Sequence, residues 1–304
     1  MTFLYISESD IDGSVVIYPY MRKLFLFLLG LPGLAIGQEA LAPETPARYI
    51  RPKYYELGAG LNVSSFKDLA TSPLLYTGGS GQFVLGIIRK DSHLESNLSF
   101  RFSSGIYASP AELRERAQSV VSSAFISYSR LYQVAISDSD KWNLKVGGKL
   151  DLTGNIRQNP SLLNNATGIE SFQTLFGSAK ISRDISRNDL KRKRFLFVRY
   201  KLKPKKRDIS YQLNTSVLNT TYRNGYAYIN QASIKNSDNF FEDYKFSAFS
   251  GFRMSSAIEL TRHLPNGNGI KYSYIWDAYK TGGELPKFAM TNHIIQISLL
   301  FKVK

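Results

Sequence analysis

The chain contains no cysteine. Disulfides, thiolate metal sites and thiol nucleophiles are therefore excluded. Histidine is almost as scarce. His93, His263 and His293 are far apart, and none has the spacing of a metal ligand pair, so neither a metal nor a cofactor is expected. No window beyond residue 37 offers 18 apolar residues in a row, so no helix is predicted to cross a bilayer. Helical periodicity is nearly missing as well. Only "SPAELRERAQS" (109–119) reads as a short helix, with Ser109 as N-cap and Pro110 at its first position. Gly78, Gly79 and Gly81 form no phosphate loop, because no Lys-Ser/Thr pair and no helix follow them.

Bases and aromatics are abundant. The formal charge is +15, and 19 Tyr match 19 Phe, a balance that favours interfaces where one end of a ring is wet. Near the start, "MRKLFLFLLGLPGLAIGQEA" has the secretory pattern. Arg22 and Lys23 form the positive region, and Leu24 to Leu34 form an apolar core of about 11 residues, too short to span a bilayer. Ala35-Ile36-Gly37 supplies the small residues for cleavage before Gln38. Residues 21–37 are thus read as a signal peptide, and residues 1–20, with Glu8, Asp10 and Asp12, as an extension upstream of the true start at Met21. Removing 1–37 takes away those three acids and two bases, raising the net charge by one. No cysteine follows the cleavage site, so no lipoprotein is expected.

The remainder alternates with a period of two. In "WNLKVGGKLDL" (142–152), Trp142, Leu144, Val146, Leu150 and Leu152 take one face, and Lys145, Lys149 and Asp151 the other. The run 54–64 sets Tyr55, Leu57, Leu61 and Val63 against Glu56, Gly58 and Asn62; 94–103 sets Leu98, Phe100 and Phe102 against Glu95, Ser99 and Arg101. The runs 196–203, 209–217, 244–261, 270–279 and 292–304 behave alike, while 80–90, 119–132, 170–183 and a weak segment at 222–230 alternate less cleanly. A soluble β-sandwich would alternate too. Its strands, however, average about 5–6 residues, whereas a tilted strand crossing a bilayer needs about 9–11. Length separates the two cases. In hydrocarbon every backbone polar group needs a partner within the protein, so without spanning helices a membrane chain must close into a barrel, oily outside and polar inside.

With its signal peptide, its dozen long alternating segments and its end on "IIQISLLFKVK", the sequence resembles Gram-negative outer-membrane β-barrel proteins over 54–304. The resemblance is to the class and to no single characterised family. It implies an all-β, antiparallel up-and-down transmembrane barrel, exported to the cell outer membrane and inserted by the barrel-assembly machinery. Phe301 is the aromatic that this machinery would read, although Lys302-Val303-Lys304 follow it. With both termini periplasmic the strand number should be even, and the segments sum to about twelve, within a range of about ten to fourteen. Residues 38–53 become a short periplasmic segment. The connections 65–79, 108–118, 155–168, 230–243 and 281–290 are expected to face outward. The turns 89–93, 137–141 and 265–269, the last with the turn signal Asn266-Gly267, should face the periplasm.

The same parity assigns an inner face. Glu56, Glu95, Asp151, Glu259 and Asp277 are expected in the lumen with Arg101, Lys145, Lys149, Arg199, Lys201, Lys245, Arg253 and Lys271. Eight bases against five acids suggest a net positive lumen. Two readings follow: a salt-bridged, side-chain-filled core, or a narrow pore for small anionic or zwitterionic solutes. A monomeric solute pore is the leading expectation, with a non-conducting barrel serving envelope or secretion assembly as the alternative. A third reading is a lipid hydrolase at the rim. The class includes such enzymes, which use a His–Ser pair, and His293 is the candidate histidine, though no serine motif accompanies it. The runs 191–194 and 205–207 are read as a solvated basic rim able to meet lipid phosphates; no nucleic-acid partner is expected.

Overall fold

A computed structural model describes residues 51–109, 117–137, 141–159, 167–189, 191–195, 197–202, 204–224, 244–283 and 285–303. The signal peptide, the upstream extension and nearly all of the 38–53 segment lie outside these residues, as do the core of the 109–119 helix and the 230–243 connection. The strands are β1 (Lys53–Asp68), β2 (Ser72–Lys90), β3 (Leu94–Ala108), β4 (Gln118–Ile136), β5 (Trp142–Gln158), β6 (Thr167–Asp184), β7 (Lys191–Phe195), β8 (Val198–Leu202), β9 (Lys206–Asn224), β10 (Tyr244–Ser247), β11 (Phe252–His263), β12 (Gly269–Lys280) and β13 (Phe288–Val303).

All pairings are antiparallel, and the main sheet closes on itself. β13 pairs with β1 from Lys53↔Val303 to Asp68↔Phe288, and β6 pairs with β9, so the ring runs β1-β2-β3-β4-β5-β6-β9-β11-β12-β13. This is a ten-stranded barrel, not one of about twelve. Two segments account for the difference. The 196–203 segment folds into β8, which pairs with β7 in a separate two-stranded sheet. The 209–217 and 222–230 segments are not two strands, because β9 runs unbroken through Asn224. Alternation marks a strand but does not say which sheet it joins. β10 and β11 both pair with β9, β10 to residues 221–224 and β11 to 206–215, so together they act as one wall strand with a break at 248–251. Phe249 and Gly251 take positive φ there, and Ser250 N bonds to the Asn219 carbonyl to hold the break against the wall.

The chain's described ends, Arg51 and Val303, lie at one end of the barrel, called here the terminus end, with the turns 91–93 and 264–268 and the junction of β4 with β5. Gly267 has φ 86°, the left-handed conformation for which Asn-Gly is suited. At the far end, the expected long connection 65–79 is instead a tight turn at 69–71. Ala70 N donates to Asp68 Oδ1 and pins it. The strands extend past the sequence estimate because Phe66 and Tyr76 turn inward, where an oily-outside pattern has no place for them.

The faces follow the inverted pattern. Leu61, Val63, Ile106, Val134 and Ile295 are exposed, Leu61 to 72%. Lys145 and Asp151 on β5 are 2% and 1% exposed, while Trp142, Leu150 and Leu152 of the same strand face out. Among the described residues no helix is long and apolar enough to cross a membrane.

Close wall packing limits some positions. A Cβ on Gly105 would strike the Gly79 carbonyl and Ser80, whereas one on Gly154 would meet open space. We expect Gly105→Val to cost about 1–3 kcal/mol or more by overpacking and Gly154→Val to be near neutral. Urea unfolding of the barrel refolded in lipid vesicles measures the difference.

Candidate functional site

The lumen gathers the protein's buried charge in three layers. Near the terminus end, Lys180 Nζ sits 2.6 Å from Glu95 Oε1 and 3.0 Å from Glu259 Oε2. Lys271 reaches Glu56 at 2.8 Å and Glu259 at 3.5 Å, and Lys145 reaches Glu95 at 3.6 Å. At the mouth of this layer Asp208 bridges Lys90 (3.1 Å) and His263 Nε2 (2.6 Å). In the middle, Arg253 makes a forked bond to Asp277 at 3.0 and 2.8 Å, donates to Thr153 Oγ1 at 3.0 Å and lies 3.9 Å from Asp151, which Lys149 meets at 2.9 Å. Arg101 stacks on the Phe125 ring at 4.3 Å.

The far layer is the tightest. Asp68 joins Arg157 and Arg223, each at 2.6 Å, and Arg157 also bonds to Glu170 at 3.0 Å. Around these charges packs an aromatic cluster of Phe66, Tyr76, Tyr107, Phe172, Tyr279 and Phe288. Phe172 and Phe288 stack at 5.8 Å, although β6 and β13 are four strands apart around the ring. Asn155 Nδ2 donates across the lumen to Tyr279 Oη at 3.1 Å. A fully buried charge is tolerated only when paired, and in this layer Asp68, Arg157, Glu170 and Arg223, from four different strands, pair with one another.

Two cavities remain below this layer. One of about 120 Å³ is lined by Arg101, Lys149, Asp151, Lys271 and Asp277. The other, of about 70 Å³, reaches Lys90 and His263 at the terminus-end mouth, and both share Asn97, Ser129, Gln212, Glu259 and Lys271. Ser273 Oγ and Asn97 Oδ1 line the larger cavity without a protein partner, as in a wet, polar cavity.

Ten of the residues assigned to the lumen by parity are there: Glu56, Glu95, Arg101, Lys145, Lys149, Asp151, Arg253, Glu259, Lys271 and Asp277. Three are not lumen residues of a barrel strand. Arg199 and Lys201 belong to β8, in the separate sheet. Lys245, on the four-residue β10, stands opposite the inward Arg223 and so keeps the inner face, but it is exposed at the far-end rim rather than enclosed in the lumen. Parity missed Asp68, Lys90, Arg157, Glu170, Lys180, Asp208, Arg223 and His263. The even positions of 170–180 carried a signal in Glu170, Thr174, Ser178 and Lys180, but the inward Phe172 and Phe176 masked it. With these residues counted, Lys90, Arg101, Lys145, Lys149, Arg157, Lys180, Arg223, Arg253 and Lys271 face Glu56, Asp68, Glu95, Asp151, Glu170, Asp208, Glu259 and Asp277. The expected positive lumen is therefore nearly neutral among the described residues, because acids near the strand ends pair with the bases.

No protein-family model and no curated protein matches the sequence. Among solved structures, the outer membrane protease OmpT from Escherichia coli matches with a TM-score of 0.52 and 7% identity, over 86% of this chain and 99% of that one. The chain has the fold of an outer-membrane β-barrel. At that identity the likeness is one of fold alone. Lower-scoring matches are the transport unit of the autotransporter AIDA-I from Escherichia coli (TM-score 0.43, 6% identity, 90% of this chain, 96% of that one) and Neisserial surface protein A (0.31, 8%, 82%, 97%).

Outside this barrel's lumen, His293 faces outward on β13 and its Nδ1 lies 2.9 Å from Tyr274 Oη. His93 is exposed in the 91–93 turn.

Removing Asp68 leaves Arg157 and Arg223 facing each other without their shared counter-ion. We expect Asp68→Ala to lose about 3–5 kcal/mol, against about 1 kcal/mol or less for the exposed Lys245→Ala. Urea unfolding in vesicles, followed by tryptophan emission, checks both.

Proposed function

We propose that the protein is an integral outer-membrane barrel, with its termini toward the periplasm and its lumen sealed at the outward end by its own side chains. In this reading it is a non-conducting platform that presents the far-end connections to the exterior. The observation that carries it is the cross-lumen contact of Phe172 with Phe288, reinforced by the Arg223–Asp68 and Arg157–Asp68 pairs. A solute entering from the terminus end meets the two cavities and then this septum. The apolar exterior supports residence in lipid, since an aqueous setting would leave that whole band exposed. Export would use the 21–37 segment, and assembly would use β13, which carries Phe301 facing outward two residues before its end at Val303.

The cavities favour a second reading, a narrow pore for small zwitterionic solutes that opens when the septum moves. The balanced lumen charge gives such a pore little preference for anions. A rim hydrolase draws less support. The hydrogen-bond partner of His293 is a tyrosine, and that of His263 is Asp208 inside the mouth.

Planar-bilayer recording separates the two leading readings. We expect no conductance steps from the intact protein and the appearance of steps in the Phe172→Ala/Phe288→Ala double variant. Regular steps from the intact protein would sink the platform reading.

A further inference from the structure

The charge missing from the lumen has to be elsewhere, and the register shows where. On the outer wall at the terminus end, Lys53 stands directly opposite Arg89, and Arg207 opposite Arg262. Arg89 is in turn opposite Ser96, and Ser96 opposite Arg130, so bases recur along one outward register line. The 185–205 excursion leaves the wall at the same end. Its β7–β8 register sets Arg192 opposite Lys201 and Arg194 opposite Arg199.

Like charges directly opposite on one face of an antiparallel pair are destabilising. The two such pairs on the outer wall at this end, Lys53–Arg89 and Arg207–Arg262, carry a repulsion that an anion from outside would relieve. Among the described residues no acid forms an ion pair with Lys53, Arg89, Arg130, Arg207 or Arg262. Asp91 accepts the backbone N–H groups of His93 and Leu94, and Asp184 accepts that of Ser186. The outer face of the far end has no counterpart among the described residues: Lys67 stands opposite Leu75 and Ala289, and Lys280 opposite Phe252 and Ala289, while the Lys245–Arg223 pair there is on the inner face.

The bases also sit among aromatics that face outward. Lys53 lies over the Tyr55 ring at 4.7 Å, Arg130 over Tyr132 at 5.3 Å and Arg183 over Trp142 at 4.8 Å. Exposed Tyr and Trp at the end of an apolar wall mark headgroup level. Guanidinium and ammonium groups held at that level meet phosphate, which they bind by charge-assisted hydrogen bonds.

We propose that this end carries a basic collar that docks on the phosphates of anionic phospholipids in the periplasmic leaflet. The proposal rests on membrane residence of the barrel. It assigns the outer wall bases, led by Arg130, Arg183 and Arg262, to the boundary lipid.

The test uses the full barrel refolded into phosphatidylcholine vesicles, with spin-labelled phosphatidylglycerol or phosphatidylcholine as the probe and boundary association read by electron spin resonance. The expected result is a severalfold preference for phosphatidylglycerol that falls toward one in about 1 M salt, where charges are screened beyond about 3 Å. The Arg130→Gln/Arg183→Gln/Arg262→Gln variant should lose most of the preference, and Lys67→Gln/Lys280→Gln should keep it. Inorganic phosphate at matched ionic strength should not displace the lipid. Equal association of the two lipids in an inserted barrel would overturn the collar, as would a preference untouched by the triple variant or abolished by inorganic phosphate. Failure of the chain to insert, seen as no protease-protected and heat-modifiable form, would instead remove the membrane reading itself and the collar with it.

Discussion

Closure of the backbone ladder is the constraint on which everything else here depends. A sheet whose outer face is apolar cannot leave an edge of unpaired N–H and C=O groups. The β1–β13 pairing removes that edge by joining residues at opposite ends of the barrel sequence, Lys53 to Val303 and Asp68 to Phe288. Once the ring is shut, the period-two alternation sorts every side chain to one of two environments. The outer face takes Leu61, Ile106 and Ile295; the inner face takes Glu56, Lys145 and Asp151. The charges so enclosed must then find one another, because a solitary ion in that space is far too costly.

How the enclosed charges pair determines what the lumen can be. Each layer uses a carboxylate shared between bases from different strands: near the terminus end Asp208 between Lys90 and His263 and Glu259 between Lys180 and Lys271, in the middle Asp151 between Lys149 and Arg253, and in the far layer Asp68 between Arg157 and Arg223. Sharing leaves few charged groups available to a passing ion. It also leaves the outward bases at the terminus end, among them Arg89, Arg130, Arg207 and Arg262, to the surroundings of the barrel.

The fold class was legible because strand length and parity are strong signals in β1, β5, β12 and β13, where apolar residues face outward along most of the strand. Parity placed Lys149, Asp151, Arg253 and Asp277 on the inner face, where they form the ion pairs Lys149–Asp151 and Arg253–Asp277. It lost its power wherever the lumen itself is apolar. Phe66, Tyr76, Phe172 and Phe288 point inward, so the far thirds of their strands read as loops or as irregular segments, and Asp68 and Glu170 among them went unassigned. The strand number failed for another reason. β8 alternates like a wall strand, and only its hydrogen-bond partner, β7, tells the two apart. Residue patterns report local environment, whereas ring membership is decided by pairing over long sequence separations.

The contacts that cross the lumen have a geometric consequence for the wall. Phe172 against Phe288, Arg223 against Asp68 and Asn155 against Tyr279 act as spokes of fixed length between strands far apart on the circumference. A ring tied by spokes cannot be enlarged without breaking them. Admitting β7 and β8 to the wall would add two strand widths, about 9–10 Å of perimeter, and pull every spoke beyond reach. The hairpin is thus held outside by the dimensions of the interior, and a wider relative of this barrel would need a different set of side chains at its centre.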